Sequence, residues 1–201
     1  MIINTLERSI QLKICYYGPA MSGKTTSIRS LFDHFGRKDK VHSIETSHNL
    51  KNRRTLFFDY GTISFKNQYF LLKLHIYSTT GQDFYIITRP ATLQGIDGII
   101  FVADSQTKAL DRNILSWKEL ESYFQERLIQ IPKIIAFNKQ DLPKKFNPNR
   151  FLEDIQYKKY DNIDTEYTIA LNGENILASF ENILRLIFQN YYKSEMMPSI
   201  S

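Results

Sequence analysis

The sequence has little of what would place the chain outside a reducing compartment. It holds one cysteine, Cys15, so no disulfide can form within the chain, and this thiol lies in the apolar run LKICYY, where a small buried residue fits. No stretch has the length of a membrane span, and the opening MIINTLERSIQL lacks the apolar core of a secretory leader. Ile2 argues against myristoylation, and MMPSIS carries no prenylation box. A cytoplasmic location is therefore expected, with any visit to a membrane made indirectly, through a partner. With 8 glycines and 6 prolines the chain has no low-complexity linker, and no internal repeat is visible. A single domain over 1–201 is expected, monomeric, with 1–9 and 194–201 as tails. Concentrated charge is also missing. The formal charge is +5, yet the basic runs, such as Arg37-Lys38-Asp39-Lys40 and Lys144-Lys145, are short and scattered. That distribution argues against a nucleic-acid reader, which gathers its charge on one face. Trp117 and the 12 tyrosines read as packing and surface aromatics rather than a platform for stacking bases.

What is present is an ordinary globular composition, 42% hydrophobic and 23% charged, arranged in a recurring order. Short apolar runs rich in β-branched and aromatic residues alternate with longer stretches of helical period. This is the pattern of an α/β fold with a mostly parallel central sheet and helices on both faces. Five or six strands are expected, at 12–17, 56–65, 69–77, 98–103, 133–137 and 167–170. Helices are expected at 24–35, 109–128 and 176–192. The runs GIIFVA and KIIAF are unbroken enough for central strands buried on both faces. In an open α/β sheet, ligands sit beyond the carboxyl ends of the strands, so the polar residues that follow each run are the ones to read.

After the first run comes GPAMSGKTT. It fits G-x-x-x-x-G-K-[ST] with a strand before and a helix after, the context in which that motif cradles phosphate. Glycines at positions 18 and 23 let backbone N–H groups approach an anion, and the helix N-terminus adds unpaired N–H groups and its dipole. Gly18, Ala20, Met21, Ser22, Gly23, Lys24, Thr25 and Thr26 are the candidate phosphate-binding residues. Lys24 suits the β- and γ-phosphates and the Thr25 hydroxyl suits Mg²⁺. After KIIAF comes Asn138-Lys139-Gln140-Asp141. A carboxylate only accepts hydrogen bonds, and guanine offers two adjacent donors where adenine offers no such pair, so Asp141 can select guanine. Asn138 would tie this turn to the phosphate loop and the purine edge, and the stem of Lys139 can lie across the base.

On these residues the chain resembles the Ras superfamily of small GTPases, and more narrowly its MglA-like prokaryotic branch. The general marks are GPAMSGKT, Thr55, TGQ at 80–82, NKQD at 138–141 and Ala170-Leu171-Asn172. The branch marks are YYGPAMSGKTT, RTLFFDY, TRPATLQGIDGIIFVADSQ and FNKQDLP. The resemblance implies a GTPase switch that cycles between GTP and GDP with Mg²⁺. In it Thr25 and Thr55 hold the metal, Gly81 and Gln82 belong to the second switch with Gln82 orienting the attacking water, and Ala170 and Leu171 contact the guanine oxygen. It also implies that Arg54, before the switch threonine, acts as an intrinsic arginine finger, with Arg53 as the alternative. Segments 43–55 and 79–95 would change with the γ-phosphate and control binding of protein effectors. A roadblock-type activating protein and a role in polarity or motility are further expectations.

One residue departs from the wider superfamily. Ser78 stands where most small GTPases carry an aspartate that holds a Mg²⁺-bound water, and a hydroxyl is a poorer partner for it. Asp59 and Asp83 are the candidate replacements. Asp104 ends GIIFVAD and is expected to stabilise a turn. His42, Glu45 and His48 do not have the spacing of a zinc-protease site. Two other readings stay open: a nucleotide-binding interaction module with little hydrolysis, motivated by Ser78, and a P-loop ATPase, motivated by GIIFVAD.

Overall fold

The computed structural model describes residues 1–36, 41–47, 58–79 and 92–196, and for 41–47, 58–59 and 196 the backbone alone. Its centre is β2 (Ser9–Tyr17), β6 (Gly98–Asp104) and β7 (Lys133–Asn138), three parallel neighbours. Side chains alternate between the faces of a strand, and these three strands use both faces for apolar residues. Leu12, Ile14, Tyr16, Ile100, Val102, Ile134 and Ala136 enter one cluster. Cys15, Tyr17, Ile99, Phe101, Ala103, Ile135 and Phe137 enter the other. A sheet apolar on both faces needs helices on both. α1 (Lys24–Gly36) and α5 (Ile176–Met196) cover the first face through Ile28, Leu31, Phe180, Ile183 and Ile187. α2 (Leu110–Phe124), α3 (Arg127–Gln130) and α4 (Pro148–Asp154) cover the second through Trp117, Leu120, Leu128 and Phe151.

The remaining strands are β1 (Ile2–Asn4), β3 (Val41–Ser47), β4 (Phe58–Lys66), β5 (Leu71–Thr79) and β8 (Ile163–Thr168). The sheet order is β3-β4-β5-β2-β6-β7-β8, with β1 paired to β2. β2, β5, β6, β7 and β8 run parallel. β4 is antiparallel to β5, β3 to β4 and β1 to β2. Chain order reverses at β2, which has β5 on one side and β6 on the other, so the crevice at its carboxyl end is where ligands are held in such sheets.

Several boundaries differ from the sequence-based expectations. The start of the chain is not a loose tail, because Ile2–Asn4 pairs with Ser9–Gln11 in the sheet. The last strand is Ile163–Thr168 rather than 167–170; IDTEYT is half-exposed and has no apolar run to announce it. The third expected strand begins at Leu71, with Tyr69 in the preceding turn, where its N–H donates to Asn67 Oδ1 at 2.9 Å. The long helix expected at 109–128 breaks at Gln125, whose φ of 52° cannot continue a helix. β3 and α4 were not anticipated. α4 is started by Pro148 at its first position and by Asn147, whose side chain accepts from Asn149 N at 3.0 Å. α5 runs to Met196, so it takes in part of the expected 194–201 tail.

Candidate nucleotide-binding site

β2 delivers the chain into the turn 18–23, and α1 leaves it. Gly18 has φ +136° and Gly23 φ +109°, conformations that L side chains rarely adopt. A Cβ on Gly18 would lie 2.4 Å from the Val102 carbonyl oxygen, and one on Gly23 would lie 2.2 Å from Asn138 Nδ2. The turn is therefore pressed against both β6 and β7. Met21, at φ +61°, is 77% exposed at its crest. Lys24 is buried at the start of α1, and its ammonium donates to the carbonyls of Gly18 and Pro19, each at 2.8 Å. Those two bonds draw the lysine over the concave side of the turn. The first turn of α1 also brings backbone N–H groups there, with Thr25 and Thr26 half-buried beside them. Ser22 Oγ is buried without a hydrogen-bond partner, a polar atom waiting on this turn.

Asn138 gathers the other segments. It is 2% exposed at the end of β7 and uses both ends of its amide. Nδ2 donates to the Ser22 carbonyl at 2.8 Å. Oδ1 accepts from Thr168 Oγ1 at 3.2 Å and from Ala170 N at 2.9 Å. One side chain thus joins the first turn, the end of β7 and the loop after β8. In that loop Ala170 is buried and Leu171 is exposed.

The turn after β7 is held from within. Lys139 has φ 68°, and its ammonium meets Asp104 Oδ2 at 2.7 Å. Asp104 Oδ1 also accepts from Gln106 N at 3.1 Å, so this buried carboxylate stabilises its own turn and positions the lysine stem. Gln140 donates to Ser105 Oγ at 2.8 Å and to Phe137 O at 3.0 Å, and its N–H reaches Thr168 O at 3.2 Å. Asp141 lies exposed at the mouth of the turn. Gln140, Thr168 and Ser105 were not singled out from sequence. Gln140 occupies the variable place of N-K-x-D, Thr168 ends β8 and Ser105 follows β6, so only three-dimensional proximity reveals them.

Ser78 is fully buried at the end of β5 and its hydroxyl donates to Thr79 O at 3.3 Å. Thr79 Oγ1 is buried without a partner. The β4–β5 register pairs the backbone of Asp59 with that of Ser78. Arg54, Thr55, Gly81, Gln82 and Asp83 lie outside the described residues, as does His48. Among the described residues no three His, Cys, Asp or Glu side chains gather into a metal cage. The Thr25 hydroxyl at the start of α1 and the unpartnered Thr79 hydroxyl at the end of β5 are each oxygen donors of the kind that fit Mg²⁺, a hard cation that keeps waters and takes several ligands from substrate phosphates. Cys15, behind the turn, is inert: burial pushes its thiol up to about 12.

Comparison with known proteins gives a consistent set of likenesses. A family model described as the ADP-ribosylation factor family matches residues 1–187. Mutual gliding-motility protein MglA of Myxococcus xanthus is 31% identical over 195 residues, covering 95% of this chain and 97% of that protein. Ras-related protein Rab-11B of Dictyostelium discoideum is 21% identical over 197 residues, covering 98% and 83%. GTP-binding nuclear protein GSP1 of Encephalitozoon cuniculi is 24% identical over 168 residues, covering 82% and 72%.

Proposed function

Because the chain belongs to the ADP-ribosylation factor family of small GTPases and is MglA-like, we propose that it is a single-domain switch that binds Mg²⁺·GTP, hydrolyses it slowly to GDP, and changes its partner surface as the γ-phosphate leaves. The observation that carries this reading is the three-way tie made by Asn138, which brings the phosphate-binding turn, the N-K-x-D turn and the Ala170 loop to one crevice.

The roles follow from the chemistry of each group. Backbone N–H groups of residues 18–25 cradle the phosphates, and Lys24 exchanges its carbonyl partners for phosphate oxygens when the substrate enters. Asp141 accepts from guanine N1–H and the exocyclic amine, Lys139 covers the base, and Ala170 and Leu171 offer main-chain N–H groups to its oxygen. Thr25 and Thr55 would hold Mg²⁺, which when bound supplies neutralisation of charge on the β- and γ-phosphate oxygens. Asp59, whose backbone pairs with Ser78 in the register, and Asp83 are the carboxylates that would support a metal-bound water in place of the missing acid. Gln82 orients the attacking water, its amide both donating and accepting. Arg54 offers a planar guanidinium to the transition state. Segments 43–55 and 79–95 start within β3 and at the last residue of β5, so contacts with the γ-phosphate would be linked directly to the sheet. Effectors that read these segments and a roadblock-type activator are the partners this design calls for, in the cytoplasm.

Ser78 motivates a second reading, a nucleotide-binding module with little hydrolysis. Phosphate release from protein preloaded with GTP separates the two. The switch converts all bound GTP in a single turnover, whereas GTP recovered intact after prolonged incubation with Mg²⁺ would favour the module.

A further inference from the structure

At the end of the sheet opposite the nucleotide crevice, two turns meet. Residues 5–8 connect β1 to β2 and residues 67–70 connect β4 to β5. They are joined where Leu71 N donates to Arg8 O at 3.0 Å, beside the Ser9–Leu71 pair that begins the β2–β5 ladder. Of the ten large hydrophobic side chains exposed among the described residues, four belong to this end: Ile2, Ile3, Leu6 and Tyr69. Leu6 is 96% exposed and Tyr69 66%, so neither side chain serves the core. Arg8 and Lys66 stand exposed beside them, with Glu7 as the neighbouring acid.

We propose that this end is a docking surface for an anionic lipid bilayer. Its exposed apolar tips are single side chains interspersed with cations. A bilayer headgroup region deforms around scattered tips of this kind, whereas a protein partner would need a surface shaped to each of them. It takes in Leu and Ile tips, accommodates Tyr at the polar boundary, and pairs Arg and Lys with lipid phosphate. The net charge of +5 on the whole chain adds long-range attraction of the same sign. Arg8 adds an independent sign: it holds φ +49°, where glycine would be the easier residue, so the turn keeps a cation at a conformational cost. Docking by this end leaves the nucleotide crevice facing away from the membrane, and it needs no covalent lipid. With only a few anchoring side chains, the binding is weak and reversible.

The test is co-sedimentation of the full chain, loaded with GDP, with vesicles of phosphatidylglycerol and phosphatidylethanolamine, and with vesicles of phosphatidylcholine alone. Binding is expected to the anionic vesicles only and to weaken as salt is raised. Leu6→Ser with Tyr69→Ser, and separately Arg8→Gly with Lys66→Gln, should each lower the vesicle-bound fraction by about tenfold or more, with GDP affinity unchanged. Arg8→Gly removes the charge while relaxing the backbone, so its loss of binding cannot be ascribed to misfolding. Absence of binding to the anionic vesicles, equal binding by the variants, or a wild-type dimer in light scattering that the Leu6/Tyr69 variant abolishes would overturn the proposal, the last by making a second copy the occupant.

Discussion

At the scale of single residues, Asn138 is the side chain on which the crevice depends. Its replacement by alanine leaves the Ser22 carbonyl and the Ala170 N–H buried without partners, at about 1–3 kcal/mol each. The melting temperature of Asn138→Ala should fall by roughly 4–24 °C for a chain of this size, and GDP affinity should fall with it because three segments lose their tie. An unchanged melting temperature would show that the tie is not structural. Arg54 tests the opposite case, a residue proposed to act in the reaction alone. Arg54→Ala should lower single-turnover GTP hydrolysis by about 10³-fold or more while leaving GDP affinity and melting temperature at wild-type values, and equal turnover in both proteins would remove the arginine-finger assignment. The phosphate turn and the N-K-x-D turn were legible in sequence because each is contiguous and its residue types follow from local chemistry. The Lys139–Asp104 pair and the Gln140–Ser105 and Asn138–Thr168 bonds were not, since each joins different strands or turns and leaves no periodic trace.

At the scale of elements, the fold was legible wherever a run was buried on both sides, as in β6 and β7, and obscure at edges. β8 is half-exposed and β1 is three residues long, so neither has the continuous apolar run that announced the central strands. The break between α2 and α3 was hidden for another reason: the apolar period carries on across it, and only backbone geometry marks it. Gln125 sits there at φ 52° and ψ −134°, a conformation that favours glycine. Gln125→Gly should raise stability by about 1 kcal/mol, seen as a melting temperature higher by about 2–4 °C; a lower value would mean the side chain makes a contact worth more than the strain.

Lys133 begins β7 with no exposed surface, its ammonium 4.7 Å from the Tyr160 ring centre and 3.4 Å from Ile129 O. Burial pushes its pKa down from 10.5 to about 7, with Asp161 opposing the shift. The folded state then binds fewer protons at this site than the unfolded chain does between pH 7 and 10.5, so stability rises with pH across that window. The destabilising contribution is absent above the unfolded pKa and complete below the folded one. Lys133→Met should therefore be more stable at pH 7, by on the order of 1–4 kcal/mol, and should lose the rise in stability toward pH 10. Parallel urea-denaturation profiles for the two proteins from pH 7 to 10 would contradict the assignment.

At the scale of the whole molecule, the two ends of the sheet have different chemistry. The carboxyl ends of the strands gather glycine turns, a buried lysine and the Asn138 tie. The opposite end gathers exposed Leu6 and Tyr69 with Arg8 and Lys66. Overall composition foretold neither end, because a net charge of +5 and a 42% hydrophobic content fit many folds. The polarity came from the order of elements, which sends every loop after a parallel strand to one side. Among the described residues no helix is long and apolar enough to cross a membrane.

The central claim is that the turn at 18–25 and Asp141 together bind a guanine nucleotide. Calorimetric titration of nucleotide-free protein with GDP and with ADP in the presence of Mg²⁺ tests it most directly. The account predicts saturable binding of GDP at one site, ADP weaker by about 10³-fold or more, and loss of GDP binding in Lys24→Ala. Equal affinity for the two nucleotides, or undiminished GDP binding by Lys24→Ala, would contradict it.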